Sequence, residues 1–436
     1  MKAKSSLGLI LFPAFDWAIS PTHPEREERL LYTRDQIMEE GLADVDGIHF
    51  FNPAVAVDAD INRVHFCWPD AASVVPRSHR IAAGGVMRAF DAVLGGETDK
   101  AFALVRPPGH HAQRVVYGDR GFCIVNIEAV GLEYARQRYG LKRVAIVDTD
   151  CHHGDGTQDI YWNDPNTLFI SFHQDGRTLY PGTGFMEELG GPAAYGHTIN
   201  IPLPPGTGDA GFQYVLEQAV MPILAEFKPD LIINSAGQDN HYTDPLTNMS
   251  FSAQGYARLN QTLNPDIAVL EGGYAIQGAL PYVNTGIILA MAGLDYTGVV
   301  EPDYRAANMQ QSSRVMEAVK RAAESAYTLW RNRETLAREA FKHPTEAVRR
   351  RQVYYDTIGI METQEQCFKI CPDCTGVDYI LSRNDRGASL LGITIPRSAC
   401  SACRKEGYQL LDDRRISPRQ RFLQDRATDA WLTKKI

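Results

Sequence analysis

The stretch IVDTDCHHGDGTQDI, residues 146–160, runs from an apolar segment directly into four aspartates and two adjacent histidines. Asp148, Asp150 and His152 follow one another at two-residue spacing, so in an extended chain their side chains point to the same side. Carboxylate and imidazole together suit zinc or another borderline divalent ion. Asp and Gly are also common turn residues, which would explain one or two of these side chains but not the whole group. The stretch therefore predicts a strand that ends in a metal site.

Apolar runs of the same kind recur along the chain and alternate with helical patterns. The runs are continuous, as expected of strands buried on both faces, and cover 101–105, 143–147, 167–172, 230–235 and 266–273. The helical patterns cover 26–40, 78–94, 127–139 and 211–227. This alternation predicts an α/β fold with an open, mostly parallel sheet flanked by helices. Residues 1–15 resemble a signal peptide but lack a small-residue cleavage site, and we expect a buried first strand there.

Polar segments follow several of the predicted strands. RPPGHHA follows the apolar residues 101–105, SAGQDNHYTDPL follows 230–234 and EGGY follows 266–270, as the polar part of the opening stretch follows 143–147. In parallel α/β sheets, binding and catalytic groups gather beyond the carboxyl ends of the strands. A catalytic zinc takes about three protein ligands and keeps one open position. With Asp150 and His152 as two ligands, the best candidate for the third is Asp239, in the loop after another strand.

Six separated motifs occur in the order found in the zinc-dependent histone deacetylase family. They are RPPGHHA, GFC followed by Asn126, DTDCHHGDGTQ, HQ…YPGTG, SAGQD…DPL and LEGGY. The chain resembles this family, which includes bacterial deacetylase-like amidohydrolases and acetylpolyamine amidohydrolases, over about residues 8–300. The resemblance is closer to the class II branch. It implies a sheet of the arginase–deacetylase type and hydrolysis of an N-acyl amide.

The resemblance also implies roles for the residues of the reaction centre. The catalytic zinc ligands would be Asp150, His152 and Asp239. The catalytic residues would be the tandem acid/base histidines His110 and His111, Asp148 behind His110, Asp155 behind His111, and Tyr274 as the oxyanion donor. Potassium would be bound by carbonyls of the zinc loop together with Ser171. Taken alone, Tyr274 would fit a packed core tyrosine, and Ser171 an ordinary strand serine.

A substrate passage is implied at Gly121, Phe122 and Tyr180, where the family places a glycine and two aromatic rings around an aliphatic arm. Tyr180 stands where many relatives carry Phe. A slim methylene chain, such as that of acyl-lysine or a polyamine, fits between two rings. Leu246 occupies a position where polyamine-specialised relatives can place an acidic residue, so acyl-lysine is mildly favoured.

The C-terminal part of the chain changes character. A long, charged helical pattern covers 310–342, and two C-x-x-C pairs follow, formed by Cys371, Cys374, Cys400 and Cys403. Paired C-x-x-C knuckles are typical of a closed structural zinc site, with unrelated thiols as the alternative. We expect a catalytic domain over 1–345 with a helical extension, a four-cysteine zinc ribbon over 362–412, and a tail over 413–436. The ribbon offers a surface for a protein partner or for self-association into a homo-oligomer.

Composition and charge narrow the possible binding partners and the location of the protein. The net charge of −9 gives no global basic field, so nucleic acid is not an expected partner. No segment reaches the ~18–20 apolar residues of a membrane span. Scattered and paired cysteines fit a reducing compartment, and we expect a cytoplasmic protein. The function expected is a zinc-dependent amidohydrolase that removes an acyl group, in the first place acetyl, from lysine or another amine. The alternatives are a small-molecule amidohydrolase and a non-catalytic protein that binds acylated ligands.

Overall fold

A computed structural model describes residues 1–12, 18–20, 22–302, 304–342, 345–413 and 415–435. Its larger sheet has eight strands in the order β2-β1-β4-β10-β9-β6-β7-β8, and every neighbouring pair is parallel. The strands are β1 (Lys2–Leu11), β2 (Asp46–Phe51), β4 (Lys100–Leu104), β6 (Val144–Asp148), β7 (Thr167–Gln174), β8 (Thr198–Leu203), β9 (Leu231–Ser235) and β10 (Ile267–Val269). Two short strands, β3 (Phe66–Cys67) and β5 (Val115–Val116), pair separately.

Helices cover both faces of this sheet. They are α1 (Glu28–Glu39), α2 (Asp58–Asn62), α3 (Ala71–Val74), α4 (Arg77–Leu94), α5 (Ile127–Tyr139), α6 (Asp155–Tyr161), α7 (Asp209–Val215), α8 (Met221–Phe227), α9 (Ala253–Leu263), α10 (Leu280–Met291) and α11 (Ser313–Ala340). A π-helical segment, Leu216–Val220, joins α7 and α8. The sheet is buried on both sides because alternate residues enter different cores, with Phe102 and Leu104 in one and Ala101 and Ala103 in the other. The continuous apolar runs of the sequence follow from this double burial.

Helix starts are fixed by side chains that accept hydrogen bonds from free backbone amides. Asn126 accepts from the amide of Ala129 at 2.9 Å and begins α5, and Ser252 does the same for α9. Ser312 begins α11, the long charged helix expected over 310–342. Trp330 of α11 is buried against the first sheet's helices and donates to Glu226 at 2.8 Å. No described helix is both long and apolar enough to cross a membrane.

A second, six-stranded sheet forms the C-terminal unit. Its strands are β11 (Glu346–Tyr355), β12 (Ile360–Lys369), β13 (Asp378–Asn384), β14 (Ser389–Ile395), β15 (Gln420–Asp425) and β16 (Ala430–Lys435), in that spatial order. Neighbours are antiparallel except β14 and β15, which are parallel. The connection between these two contains α12 (Ser401–Asp412), which packs on both strands.

The bounds of this unit differ from those expected from the sequence. The sheet begins at Glu346, so the predicted ribbon of 362–412 is its middle part. Residues 413–436 do not form a separate tail, because β15 and β16 belong to the same sheet. Leu423 is buried against Leu391 and Ile393, which explains why this segment folds back. Position 436, and residues 13–15 of the expected first strand, lie outside the described residues.

The two units share a hydrophobic core. Phe66 and Val115 of the first unit pack with Tyr355, Phe422 and Trp431 of the second. The rings of Phe66 and Trp431 are nearly parallel, and their centroids lie 6.0 Å apart. Ion pairs close the edges of this contact, with Arg114 bound to Asp378 and Arg351 to Asp159, both at 2.6 Å. The C-terminal unit thereby packs against β3, β5 and α6 of the first unit.

Candidate active site and metal centres

The sheet order explains why polar loops from distant parts of the chain meet. β4, β10, β9 and β6 are consecutive neighbours, and all run in the same direction. Their carboxyl ends lie at one edge of the sheet, where the four polar segments begin. The loops after β6 and β9 approach closely enough for Asp239 to accept a hydrogen bond from the amide of Cys151 at 2.8 Å.

Asp150, His152 and Asp239 form a compact, buried group whose candidate ligand atoms all lie within 4.8 Å of one another. The Nδ1 atom of His152 is 2.7 Å from Asp239 Oδ2 and 3.3 Å from Asp150 Oδ1. Both carboxylates are fully buried. Burial lowers the pKa of an imidazole, but the two carboxylates outweigh it and raise the pKa of His152 to about 10. The group therefore gathers negative charge that a cation would balance.

The surroundings of this group fit a metal ion. A Cβ on Gly272 would lie 2.4 Å from Asp239 Oδ2 and 2.7 Å from Asp150 Oδ2, so a larger residue would enter the space between the carboxylates. The donor set of two oxygens and one imidazole nitrogen suits zinc. Three protein ligands also leave a position for substrate, as a catalytic site needs.

Two His–carboxylate pairs lie beside the triad. His110 Nδ1 is 3.2 Å from Asp148 Oδ2, and His111 Nδ1 is 2.9 Å from Asp155 Oδ1. Burial opposes charge on His110, but Asp150 and Asp148 outweigh it and raise its pKa well above the ordinary value. Burial, together with the neighbouring His110, lowers the pKa of His111 to about 3. The two imidazoles thus differ in proton affinity, which is raised at His110 and lowered at His111.

Arg120 is a residue of this site that sequence reasoning missed. Its guanidinium binds Asp155 at 2.9 Å and 2.8 Å, and Gln113 donates to the same carboxylate at 2.8 Å. Burial favours the neutral form of Asp155, but Arg120 and His111 outweigh it and hold its pKa well below the ordinary value. The position of Arg120, directly before the GFC motif, was the available signal.

Tyr274 lies in the loop after β10 and is buried, with 8% of its surface exposed. Its amide donates to Asp244 Oδ2 at 2.7 Å, and its ring meets Phe122 edge-to-face at 5.6 Å between centroids. The guanidinium carbon of Arg29 lies 5.1 Å from the ring centroid. Gly273 before it has φ +125, a backbone conformation that glycine adopts readily.

The expected entrance residues lie around these groups. A Cβ on Gly121 would be 2.6 Å from His111 Cδ2 and 2.9 Å from the Tyr180 hydroxyl. The Tyr180 ring meets the rings of His111 and His152, with centroids 5.1 Å and 6.4 Å apart. Phe122 adopts φ 65, a strained conformation for a residue with a side chain, and so is held by its surroundings.

Leu246 lies on a separate turn and is 37% exposed. Its amide donates to Asp244 Oδ1 at 2.9 Å, and the other oxygen of this carboxylate holds the Tyr274 amide. Leu246 is therefore connected to the site through Asp244. Ser171 pairs with Asp148 in the β6–β7 register, and its hydroxyl lies 2.8 Å from His173 Nδ1.

Comparisons with known proteins agree with this geometry. A family model described as the histone deacetylase domain matches residues 70–288. A probable deacetylase of Archaeoglobus fulgidus is 45% identical over 312 residues, covering 65% of this chain and 85% of that protein. The chain belongs to the histone deacetylase family. It is accordingly an enzyme of the deacetylase type, a hydrolase that removes an acyl group from an amine.

Other histone deacetylase relatives match the same part of the chain. The histone deacetylase-like amidohydrolase of Pseudomonas aeruginosa is 36% identical over 224 residues, which are 49% of this chain and 58% of that protein. The crystal structure of the HDA15 HD domain has a TM-score of 0.64 and 27% identity, covering 78% of this chain and 100% of that one. The eight-stranded parallel sheet flanked by helices is the fold of this family. The C-terminal sheet lies beyond the residues that the family model matches.

The second candidate metal centre lies in the C-terminal unit. Cys371, Cys374, Cys400 and Cys403 place their sulfurs within 4.8 Å of one another. Cys400 begins α12, and its sulfur accepts from the Cys403 amide at 3.5 Å. This hydrogen bond lowers the pKa of Cys400 to about 7. The cluster fits a zinc ribbon site, whereas Cys367 on β12 lies outside it.

Proposed function

We propose that this chain is a zinc-dependent deacylase that hydrolyses N-acyl lysine or a related N-acyl amine, with acetyl as the acyl group expected first. The observation that carries the proposal is the buried triad of Asp150, His152 and Asp239 beside two separately oriented His–carboxylate pairs. When bound, zinc would polarise the amide carbonyl and lower the pKa of a water toward ~7.

His111 is the proposed general base and acid. Its Nδ1 is held by Asp155, which leaves Nε2 as the atom that takes a proton from the water and later returns it to the departing amine. The low pKa of His111 keeps this nitrogen unprotonated before reaction. His110, held by Asp148, supplies the neighbouring positive charge as the tetrahedral intermediate forms.

Tyr274 is the proposed donor to the oxyanion. It is the hydroxyl-bearing ring on the loop that Asp244 holds beside Phe122, and one such donor contributes about 3 kcal/mol to transition-state stabilisation. Gly121, Phe122 and Tyr180 are proposed to surround the aliphatic arm of the substrate. Leu246, partly exposed on the adjoining turn, offers an apolar contact there.

The four-thiolate cluster is proposed to hold a structural zinc ion, because a closed tetrahedral site has no open position for chemistry. The potassium proposal rests on the pairing of Ser171 with Asp148 and on the family resemblance. Binding of a protein partner or of a second copy through the C-terminal unit stays a prediction. So does a cytoplasmic location, which rests on the cysteine pattern.

The experiment that tests the function is a panel of acyl-lysine peptides and acylated small amines, assayed at equal concentrations with the zinc-loaded chain. We expect hydrolysis of acetylated members, with rates that separate the acyl-lysine proposal from the small-molecule alternative. The other class, a protein that binds acylated ligands without turnover, predicts saturable binding of the same compounds and no acetate release.

A further inference from the structure

The turn between β11 and β12 reaches from the C-terminal unit to the proposed substrate entrance. Asp356, the first residue after β11, accepts two hydrogen bonds through Oδ1. One comes from the amide of Gly121 at 2.9 Å, and the other from the hydroxyl of Tyr180 at 3.2 Å. Both donors belong to the expected passage. A residue far along the sequence, outside the matched family domain, therefore lies at the wall of that passage.

Neighbouring residues of this turn hold it in place. Tyr354 accepts from Arg120 Nε at 3.1 Å through its carbonyl, and Tyr355 donates to the carbonyl of Val115 at 2.8 Å. Thr357 donates to Asp119 at 3.1 Å. Four consecutive residues, 354–357, thus bind the segment that leads into Gly121. The turn is part of the entrance rather than a loop passing near it.

The charge at this point is not balanced by its contacts. Asp356 is exposed, and both hydrogen bonds recorded for it within the described chain come from uncharged donors. Arg120 lies over the Tyr180 ring, with Cζ 5.5 Å from the centroid, but its guanidinium is bound to Asp155. Asp119 is buried, which raises its pKa to about 7, and Arg386 donates to the carbonyls of Ile358 and Gly359 at the far end of the turn. Asp356 therefore gives the entrance a negative charge that faces solvent and arriving substrate.

We propose that the β11–β12 turn completes the substrate entrance and that Asp356 is a specificity-determining residue there, favouring N-acyl substrates that carry a positive charge beside the acylated chain. The inference rests on the proposed function in that the passage leads to the acyl-binding site. It assigns to the C-terminal unit a role in substrate selection in addition to any structural zinc. An exposed carboxylate and a mobile ammonium group gain up to ~1 kcal/mol, or about fivefold in affinity.

Substitution of Asp356 by asparagine or alanine separates the effect of its charge from the effect of the hydrogen bonds that it accepts. Asp356→Asn keeps an oxygen that accepts from Gly121 and Tyr180 but removes the charge. Asp356→Ala removes both. Asp44→Asn is the matched control, since Asp44 is exposed and lies just before β2, at the opposite edge of the sheet from the site.

The probes are two linear alkyl hydroxamates of equal length, one ending in an ammonium group and the other in a methyl group, whose binding to zinc-loaded protein is measured by calorimetry. We expect the wild type and Asp44→Asn to prefer the ammonium probe by about threefold to fivefold at low salt, less as salt rises. Asp356→Asn should bind both probes equally, with unchanged affinity for the methyl probe. Asp356→Ala should bind both more weakly.

Turnover of an N-acetyl diamine and an N-acetyl monoamine of equal length tests the deacylase function, whereas probe binding tests the role of Asp356. Charge preference in binding without acetate release would refute the deacylase proposal and leave the role of Asp356 intact. Acetate release, together with a probe preference that is absent in the wild type or unchanged in Asp356→Asn, would overturn the inference alone.

Discussion

Arg120 binds both carboxylate oxygens of Asp155, with Nη1 2.9 Å from Oδ1 and Nη2 2.8 Å from Oδ2. The same carboxylate holds His111 Nδ1, so the guanidinium fixes the orientation of the proposed base without contacting the reacting atoms. Arg120 is also bound to the carbonyl of Tyr354. One buried arginine thus connects the C-terminal sheet to the proton-transfer residue.

Arg120→Lys should lower kcat about tenfold or more, since an ammonium group cannot reproduce the planar, two-point contact. Zinc content should be unchanged, because Arg120 touches none of the three candidate ligands. The measurement is steady-state kinetics with metal analysis, and Arg63→Lys, at a partly buried arginine that pairs with Asp429 away from the site, is the control. Normal kcat in Arg120→Lys would show that Asp155 orients His111 unaided.

Gly121→Ala should abolish most activity, because its Cβ would enter the space of His111 and the Tyr180 hydroxyl. Gly140→Ala is a matched control: Gly140 has φ +69, similar to the +55 of Gly121, but a Cβ there meets nothing within 4 Å. Backbone strain should cost each variant about 1 kcal/mol of unfolding free energy, and Gly121→Ala should lose more because of the close contacts of its Cβ. Comparable activity in the two variants would argue against a narrow passage at Gly121.

Tyr274→Phe should reduce kcat about 100-fold while KM changes little, as expected when a donor acts mainly in the transition state. Tyr32→Phe is the control, since Tyr32 lines the same surface cleft of about 450 Å³ and is 39% exposed. Normal turnover is expected in the control, and full turnover in Tyr274→Phe would remove the hydroxyl of Tyr274 from the mechanism.

The purified wild type should carry about two zinc ions per chain, one for each ligand group. Asp239→Asn and Cys403→Ser should each lose about one, and Cys403→Ser should also become more sensitive to protease near α12. Cys367→Ser is the control because this buried thiol lies outside the cluster. Elemental analysis that finds one ion or none in the fully loaded wild type contradicts this expectation.

Stability of the C-terminal sheet should fall as pH rises from about 4.5 to 7. Burial raises the pKa of Glu362 from 4.5 to about 7, although Ser382 and Gln364 donate to it. The folded state then binds more protons than the unfolded state across this interval, so the free energy of unfolding decreases with pH. Thermal unfolding of Glu362→Gln should show a weaker pH dependence. An identical slope in both proteins would mean that Glu362 is ionised throughout.

Much of the first sheet could be predicted because its strands are buried on both faces. β4, β6, β7, β9 and β10 each begin within one residue of the start of an expected apolar run. β2 and β8 were missed: DGIHFF is short and largely exposed, and TINIPL has no continuous apolar run. Both are edge strands, which have a neighbouring strand on one side only, and their apolar pattern in the sequence is therefore weaker.

The part of the site that could be predicted consists of ligand-type residues that belong to local sequence motifs. The triad, both His–carboxylate pairs and the cysteine cluster come together as proposed. Arg120 and Asp356 were missed because neither belongs to a recognisable ligand pattern. The role of Asp356 depends on how the C-terminal sheet packs, and this packing arises from scattered apolar residues such as Phe66 and Phe422 that carry no motif.

The most direct test of the account is acetate release from an N-acetyl-lysine peptide by chelated wild type and by Asp239→Asn as zinc is added back. We predict no release from the chelated wild type, recovery as zinc refills the Asp150–His152–Asp239 site, and no recovery in Asp239→Asn at the same zinc concentrations. Undiminished release from fully chelated protein, or from Asp239→Asn without zinc at that site, would contradict the zinc-dependent mechanism.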